Sequence, residues 1–208
     1  ITYRELRELA YMGATVLHED AIFPVRAAGI PVNIKNTNQP EDRGTMIVSE
    51  SAEHCAHIIT GIAGKKGMSV INIEKDKMNS EIGFGKNVLR ALEKSNVSFE
   101  HMPSGVDTMS VVIATEALAG KETAIIDEIK SRVHPDQIYI ESNLALIAVV
   151  GRGMKSARGT AAILFSALAD ARVNIKMIDQ GSSELNIIVG VEEEDFEVAI
   201  KAIYKRFI

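Results

Sequence analysis

The chain has 208 residues, 46% of them hydrophobic and 25% charged, with a formal net charge of −5. That length buries one good core or two small ones, and the composition is that of an ordinary globular protein. An acidic balance without a basic block argues against nucleic acid or an anionic membrane surface as partner, and no apolar run approaches the roughly 20 residues of a membrane span. Cys55 is the only cysteine, which excludes an intramolecular disulfide or a thiolate metal cluster and suits a reducing, cytoplasmic setting. The five histidines form no HExxH pattern, and the close pair His54 and His57 reads as structural or solvated. The chain opens on Ile1 without a signal-peptide pattern, so it reads as a piece or a processed product.

Thr2-Tyr3-Arg4-Glu5 reads as a capping box that starts a helix running to Gly13. A second helix, from about Glu19 to Ala28, is stopped by Gly29 and Pro31. Ile30 to Ile34 and Thr45 to Val48 read as strands around a polar loop. Two helices and two strands make a poor independent domain, so residues 1–50 read as the end of something larger. Their charges Glu19, Asp20 and Lys35 read as surface groups.

The rest of the chain repeats itself. A shift of 76 positions matches about 45 residues without a gap: Val70-Ile71-Asn72-Ile73 meets Leu146-Ile147-Ala148-Val149, and Met78 to Gly83 meets Met154 to Gly159. Each copy reads as strand, Gly- and Ser-bearing loop, helix, two strands, helix. The first copy has strands at Ser69 to Glu74, Val97 to Met102 and Thr108 to Thr115, and closes on Gln137 to Glu141. The second has Leu144 to Val150, Val173 to Ile178 and Glu184 to Val191, and runs out of chain. Helical stripes are Phe84, Val88, Leu89 and Leu92 in one copy and Leu164, Ala167, Leu168 and Ala171 in the other. The order βαββαβ is ferredoxin-like. Ile58 to Ala63 has no partner in the first copy, so it is expected to complete the second sheet. The fold class is therefore α+β: two such units over 68–142 and over 57–66 plus 143–208, the first inserted into the second, behind the helix–helix–strand segment 1–50. Open sheet edges favour pairing between units or chains.

The strand-to-helix loop of the first copy carries the chemistry. Gly83 lets the backbone approach a helix start whose free N–H groups suit a carboxylate, and Ser80 adds a hydroxyl. Ser98 and Glu100 share one strand face, where Glu100 suits an ammonium, and Met78 and Phe84 offer an apolar wall. Such a site fits a free amino acid. A plain tight turn, with Glu100 solvated and Met78 in the core, fits the same spacing, and both readings stay open. The second copy has Asn174 and Lys176 where the first has Ser98 and Glu100, so the two are not expected to bind one ligand alike. Gly64 to Ser69 and Gly151 to Ser156 mimic phosphate loops but lack the Walker ending and the G-x-G-x-x-G spacing. No catalytic nucleophile arrangement and no metal site is found.

These residues resemble the aspartate kinase family. Ile1 to Glu5 and Leu9 through His18 look like the last helices of its amino-acid kinase domain, and Ile30 to Thr37 with Gly44-Thr45 is similar to the strand pair that closes it. The two repeats look like its tandem ACT domains, the second most of all at Val150-Gly151-Arg152-Gly153-Met154-Lys155-Ser156. The resemblance implies a parent enzyme that transfers phosphate from ATP, with Mg, to aspartate on the route to lysine, threonine and methionine. It implies an effector site at Met78, Ser80, Glu81, Gly83, Phe84, Gly85, Ser98, Phe99 and Glu100, with lysine favoured over threonine because an acid matches Glu100 in lysine-inhibited members. It also implies a homodimer formed through the ACT sheets, and Thr15 and Val16 near the parent's nucleotide. The family's N-terminal Lys-Phe-Gly-Gly-Thr-Ser motif is absent, and Thr15 stands where many members carry lysine. The chain alone is thus expected to need no cofactor and to catalyse nothing.

Overall fold

In the computed structural model, which describes residues 1–14, 17, 19–49 and 57–207, Thr2 caps the first helix, α1 (Tyr3–Tyr11). The Glu5 N–H donates to Thr2 Oγ1 at 3.3 Å and the Thr2 N–H donates back to Glu5 Oε2 at 2.8 Å, so the capping box is complete. Helix α2 (Glu19–Ala27) follows, then the antiparallel pair β1 (Val32–Ile34) and β2 (Thr45–Ile47), with Val32 opposite Ile47. Tyr3, Leu6, Ile22 and Ile47 bury the apolar faces of these four elements in a small core of their own.

The chain divides into two units. Unit one joins Ile1–Lys65 to Leu146–Ile208, and unit two is Lys66–Ala145. Both have the ferredoxin-like mixture of helices on one antiparallel sheet.

Unit two contains most of β3 (Gly61–Glu74), then α3 (Phe84–Lys94), β4 (Thr108–Ala114), the four-residue α4 (Thr115–Leu118), α5 (Glu122–Val133) and the first part of β5 (Gln137–Val150). Its sheet runs β4–β3–β5, with β4 antiparallel to β3 from Met68 opposite Ala114 to Glu74 opposite Thr108. The period-two residues Ile71, Ile73, Val111 and Ile113 meet the helical stripes Phe84, Val88, Leu92 and Ile125, Ile129, Val133 in one core. Ser69 is fully buried there, bonded to the hydroxyls of Thr115 and Ser142, both at 2.9 Å.

Unit one repeats the plan with the end of β5, α6 (Thr160–Asp170), β6 (Met177–Asp179), β7 (Asn186–Glu192) and α7 (Phe196–Phe207), in the sheet order β5–β7–β6. The duplication is visible in the backbone as well as the sequence. Helix α6 lies 76 positions after α3, and left-handed residues recur at the same interval: Gly67 and Asn143, Gly83 and Gly159, Asn96 and Arg172.

Three expectations need correction. Of the strand expected over Ile58 to Ala63 only Gly61 to Ala63 is strand, and it is one with Ser69 to Glu74; Gln137 to Glu141 and Leu144 to Val150 likewise form one strand. Gly67 (φ 75°) and Asn143 (φ 62°) are single left-handed residues, the signature of a bulge and not of a reversal. Val97 to Met102 is no strand: only isolated bridges join His101 to Val112 and Ser104 to Met109, because Pro103 between them has no N–H to donate. The strand expected over Val173 to Ile178 shortens to Met177–Asp179, since Arg172 leaves α6 in a left-handed conformation and the first residue bonded across is Lys176, to Gly190.

The Glu5 carboxylate does more than cap α1. It is 1% exposed and also accepts from Thr60 Oγ1 at 2.5 Å and from the Arg152 N–H at 3.2 Å, so it holds three remote stretches of unit one together. Burial pushes its carboxyl up, but the bonds from Thr60, Thr2 and Arg152 outweigh this and leave it below the usual value of 4.5. A lowered folded pKa gives stability that is present above the unfolded value and lost as pH falls through the folded one. Glu5→Gln is therefore expected to lower unfolding free energy by about 1–3 kcal/mol at neutral pH. In urea denaturation the gap to wild type should close as pH drops below 4.5.

Candidate functional site

Past Glu74 the chain of unit two turns sharply. Lys77 takes a left-handed conformation, Met78–Ser80 forms one 3-10 turn, and the Asn79 N–H donates to Val106 O at 3.1 Å. Met78 and Phe84 are 5% and 3% exposed and sit in the unit's core, where they fix the loop. Glu81, expected among the ligand contacts, is ion-paired with Lys75. The Lys75 ammonium also donates to Val133 O and stands 5.8 Å from the centre of the Phe84 ring. That arrangement pins the loop to α5 and to the core.

Gly83, at φ 86°, is the N-cap of α3 and supplies no capping side chain; the first turn carries no acid either. A Cβ on Gly83 would meet nothing within 4 Å, so glycine is there for its backbone angle, and the space over the helix start is open. The Phe84 N–H donates to Glu81 O at 3.3 Å, so the amides open to an anion are those of the residues after it in the first turn. Ser80 is exposed, with its hydroxyl donating to Asn79 Oδ1 at 3.2 Å, and Gly85 is half-buried.

Ser98 and Phe99 are exposed and Glu100 half-buried, its N–H bonded to Val112 O at 2.8 Å. Ser98 and Phe99 line a cavity of about 550 Å³ with Lys86, Leu89, Arg90 and Glu93. It starts one residue beyond Gly85 and follows the outer face of α3 as far as Phe99. The structure therefore brings Ser98 and Phe99 to α3, while Met78 to Gly85 form the loop beside its start and not its lining. The residues missed from sequence, Lys86, Leu89, Arg90 and Glu93, recur at three- and four-residue steps, and that spacing was the available signal. Thr15 and Val16, expected near a nucleotide, lie outside the described residues, as do His54 and Cys55. Among the described residues no group of three His, Cys, Asp or Glu is placed to hold a metal, and no helix is long and apolar enough to cross a membrane.

The matching loop of unit one is filled at its beginning, although α6 starts as α3 does, on an uncapped Gly159 with nothing within 4 Å of an added Cβ. Gly151 and Gly153 stand 76 positions after Lys75 and Lys77. A Cβ on Gly151 would lie 2.5 Å from Ile59 Cα, and one on Gly153 would lie 2.6 Å from His57 O. The backbone of 57–60 occupies that space, tied by the Thr60 N–H to Val150 O at 2.7 Å. The glycines of this phosphate-loop mimic thus serve close approach of the chain. Lys176, which replaces Glu100 in the repeat, is ion-paired with Glu192 at 3.1 Å.

A model of the ACT domain matches residues 147–207. Aspartokinase 3 of Bacillus subtilis (strain 168) is 43% identical over the whole chain, which spans 46% of that protein. Clostridium acetobutylicum aspartate kinase, described with its crystal structure as an allosteric enzyme, superposes on the whole chain with a TM-score of 0.94 and 58% identity, over 48% of its own length. E. coli aspartokinase III in complex with lysine and aspartate has a TM-score of 0.78 at 22% identity, which is a likeness of fold. The chain spans about half the length of the Bacillus and Clostridium proteins.

Gly151→Ala and Gly153→Ala are each expected to destabilise by about 1–3 kcal/mol through overpacking against backbone that cannot move aside. Gly85→Ala, in α3 with only Met109 Cε at 3.6 Å, should be neutral or stabilising. Thermal melts of the three variants check the contrast.

Proposed function

The chain belongs to the aspartate kinase family, in its ACT-bearing regulatory region, and on that premise we propose that it binds an end-product amino acid in unit two, lysine in preference to threonine. The observation that carries this reading is the open, uncapped start of α3 at Gly83; α6 starts in the same way at Gly159, and the repeats differ earlier in the loop, where residues 57–60 pack against Gly151 and Gly153 of unit one. The ligand carboxylate takes the open first-turn amides of α3, beside Ser80 and Gly83. The cavity from Lys86 to Phe99 gives a long side chain room along the helix, and Glu100 supplies the countercharge for an ammonium.

In this reading residues 68–142 are one ACT domain, 57–66 with 143–208 the other, and 1–50 the close of the kinase domain. The parent phosphorylates aspartate with ATP and Mg, and the bound amino acid inhibits it by feedback. Two copies pair through their ACT sheets, whose outer strands are β4 in unit two and β6 in unit one. The ligand shifts the balance between two arrangements only by its differential affinity for them.

Isothermal calorimetry of the chain with lysine, and in parallel with threonine, tests the reading. Saturable lysine heat is expected, weakened at least tenfold by Glu100→Ala, in keeping with a lost charge-assisted bond of about 1.5–3 kcal/mol. Threonine heat alone would overturn the choice of lysine. Heat from neither would favour an ACT pair that serves only dimerisation, a role the core burial of Met78 and Phe84 also suits.

A further inference from the structure

Unit one contains a cavity of about 440 Å³ with a different chemistry. Four cations line it: Arg4 in the first turn of α1, Arg26 in the last turn of α2, and Arg152 and Lys155 in the turn after β5. Ser49 and Ser183 add hydroxyls, and no acid stands among the described lining residues. The side chains of Arg4, Arg26 and Lys155 make no ion pair or hydrogen bond with any described residue. The neighbouring Glu5 carboxylate is buried and takes its bonds from Thr2, Thr60 and the Arg152 N–H, not from these side chains.

A chain with a net charge of −5 has no general excess of cations to scatter, so a four-cation concavity is a local feature. Like charges gathered around one space repel unless an anion enters it. Planar guanidinium forks match phosphate oxygens two at a time, and serine hydroxyls donate to the remaining lone pairs. The volume lies within the roughly 300–1,000 Å³ of small-molecule sites. We propose that this cavity binds a small phosphate-bearing anion with more than one negative charge. It is a site separate from the amino-acid site of unit two and does not depend on it.

The test is a calorimetric titration of the whole chain with inorganic pyrophosphate at constant ionic strength, with citrate as a carboxylate of similar charge. Saturable pyrophosphate binding is expected, at least tenfold tighter than citrate. Arg26→Gln and Lys155→Gln, both at exposed positions, should each weaken it roughly tenfold. Lys121→Gln, in unit two, should leave it unchanged, and circular dichroism should find all three variants folded. Absence of binding, equal binding of citrate, or wild-type binding by both Arg26→Gln and Lys155→Gln would overturn the proposal.

Discussion

Two glycines set the loops of the two repeats apart. Without side chains at Gly151 and Gly153, the backbone of 57–60 lies against the loop after β5, at distances that no Cβ could share. The first copy has Lys75 and Lys77 at those positions, and Lys75 is turned to Glu81, Val133 O and the Phe84 ring. One loop is thereby filled at its beginning by its own chain. The other is braced from below and left open above the start of α3.

Unit one is also where the N-terminal segment is fastened. Glu5 answers the cap of α1 with one oxygen and uses the other to reach Thr60 and Arg152, and Asn186 donates to Glu8 at 2.7 Å one turn further along. Helix α1 is thus bonded to the chain just before β3, to the loop that the glycines hold and to β7. Displacing α1 breaks bonds at residues 60, 152 and 186 together, a coupling that a single contact would not give.

What was legible in the sequence was local or periodic. The capping box at Thr2 and Glu5, the stripe of α3, and the 76-residue repeat follow from spacing, and all appear in the fold. What was not legible was decided at a distance. The union of segments into β3 and β5 depends on sheet partners that carry the ladder past Gly67 and Asn143. The loss of a strand over Val97 to Met102 depends on where Pro103 meets β4. The Glu81 pair with Lys75 is local, but the resemblance assigned Glu81 to the ligand and masked the simpler partner six residues away. The cavity wall on α3 needed the helix face and residues 98–99 in one view.

The central claim is that of two repeats only the first takes the amino acid. Amide hydrogen exchange of the chain, with and without saturating lysine, tests it most directly, because exchange reports each loop separately. Slowed exchange is expected in peptides covering 78–86 and 97–101, with 151–160 unchanged. Slowed exchange at 151–160, or none anywhere under saturating lysine, would contradict the account.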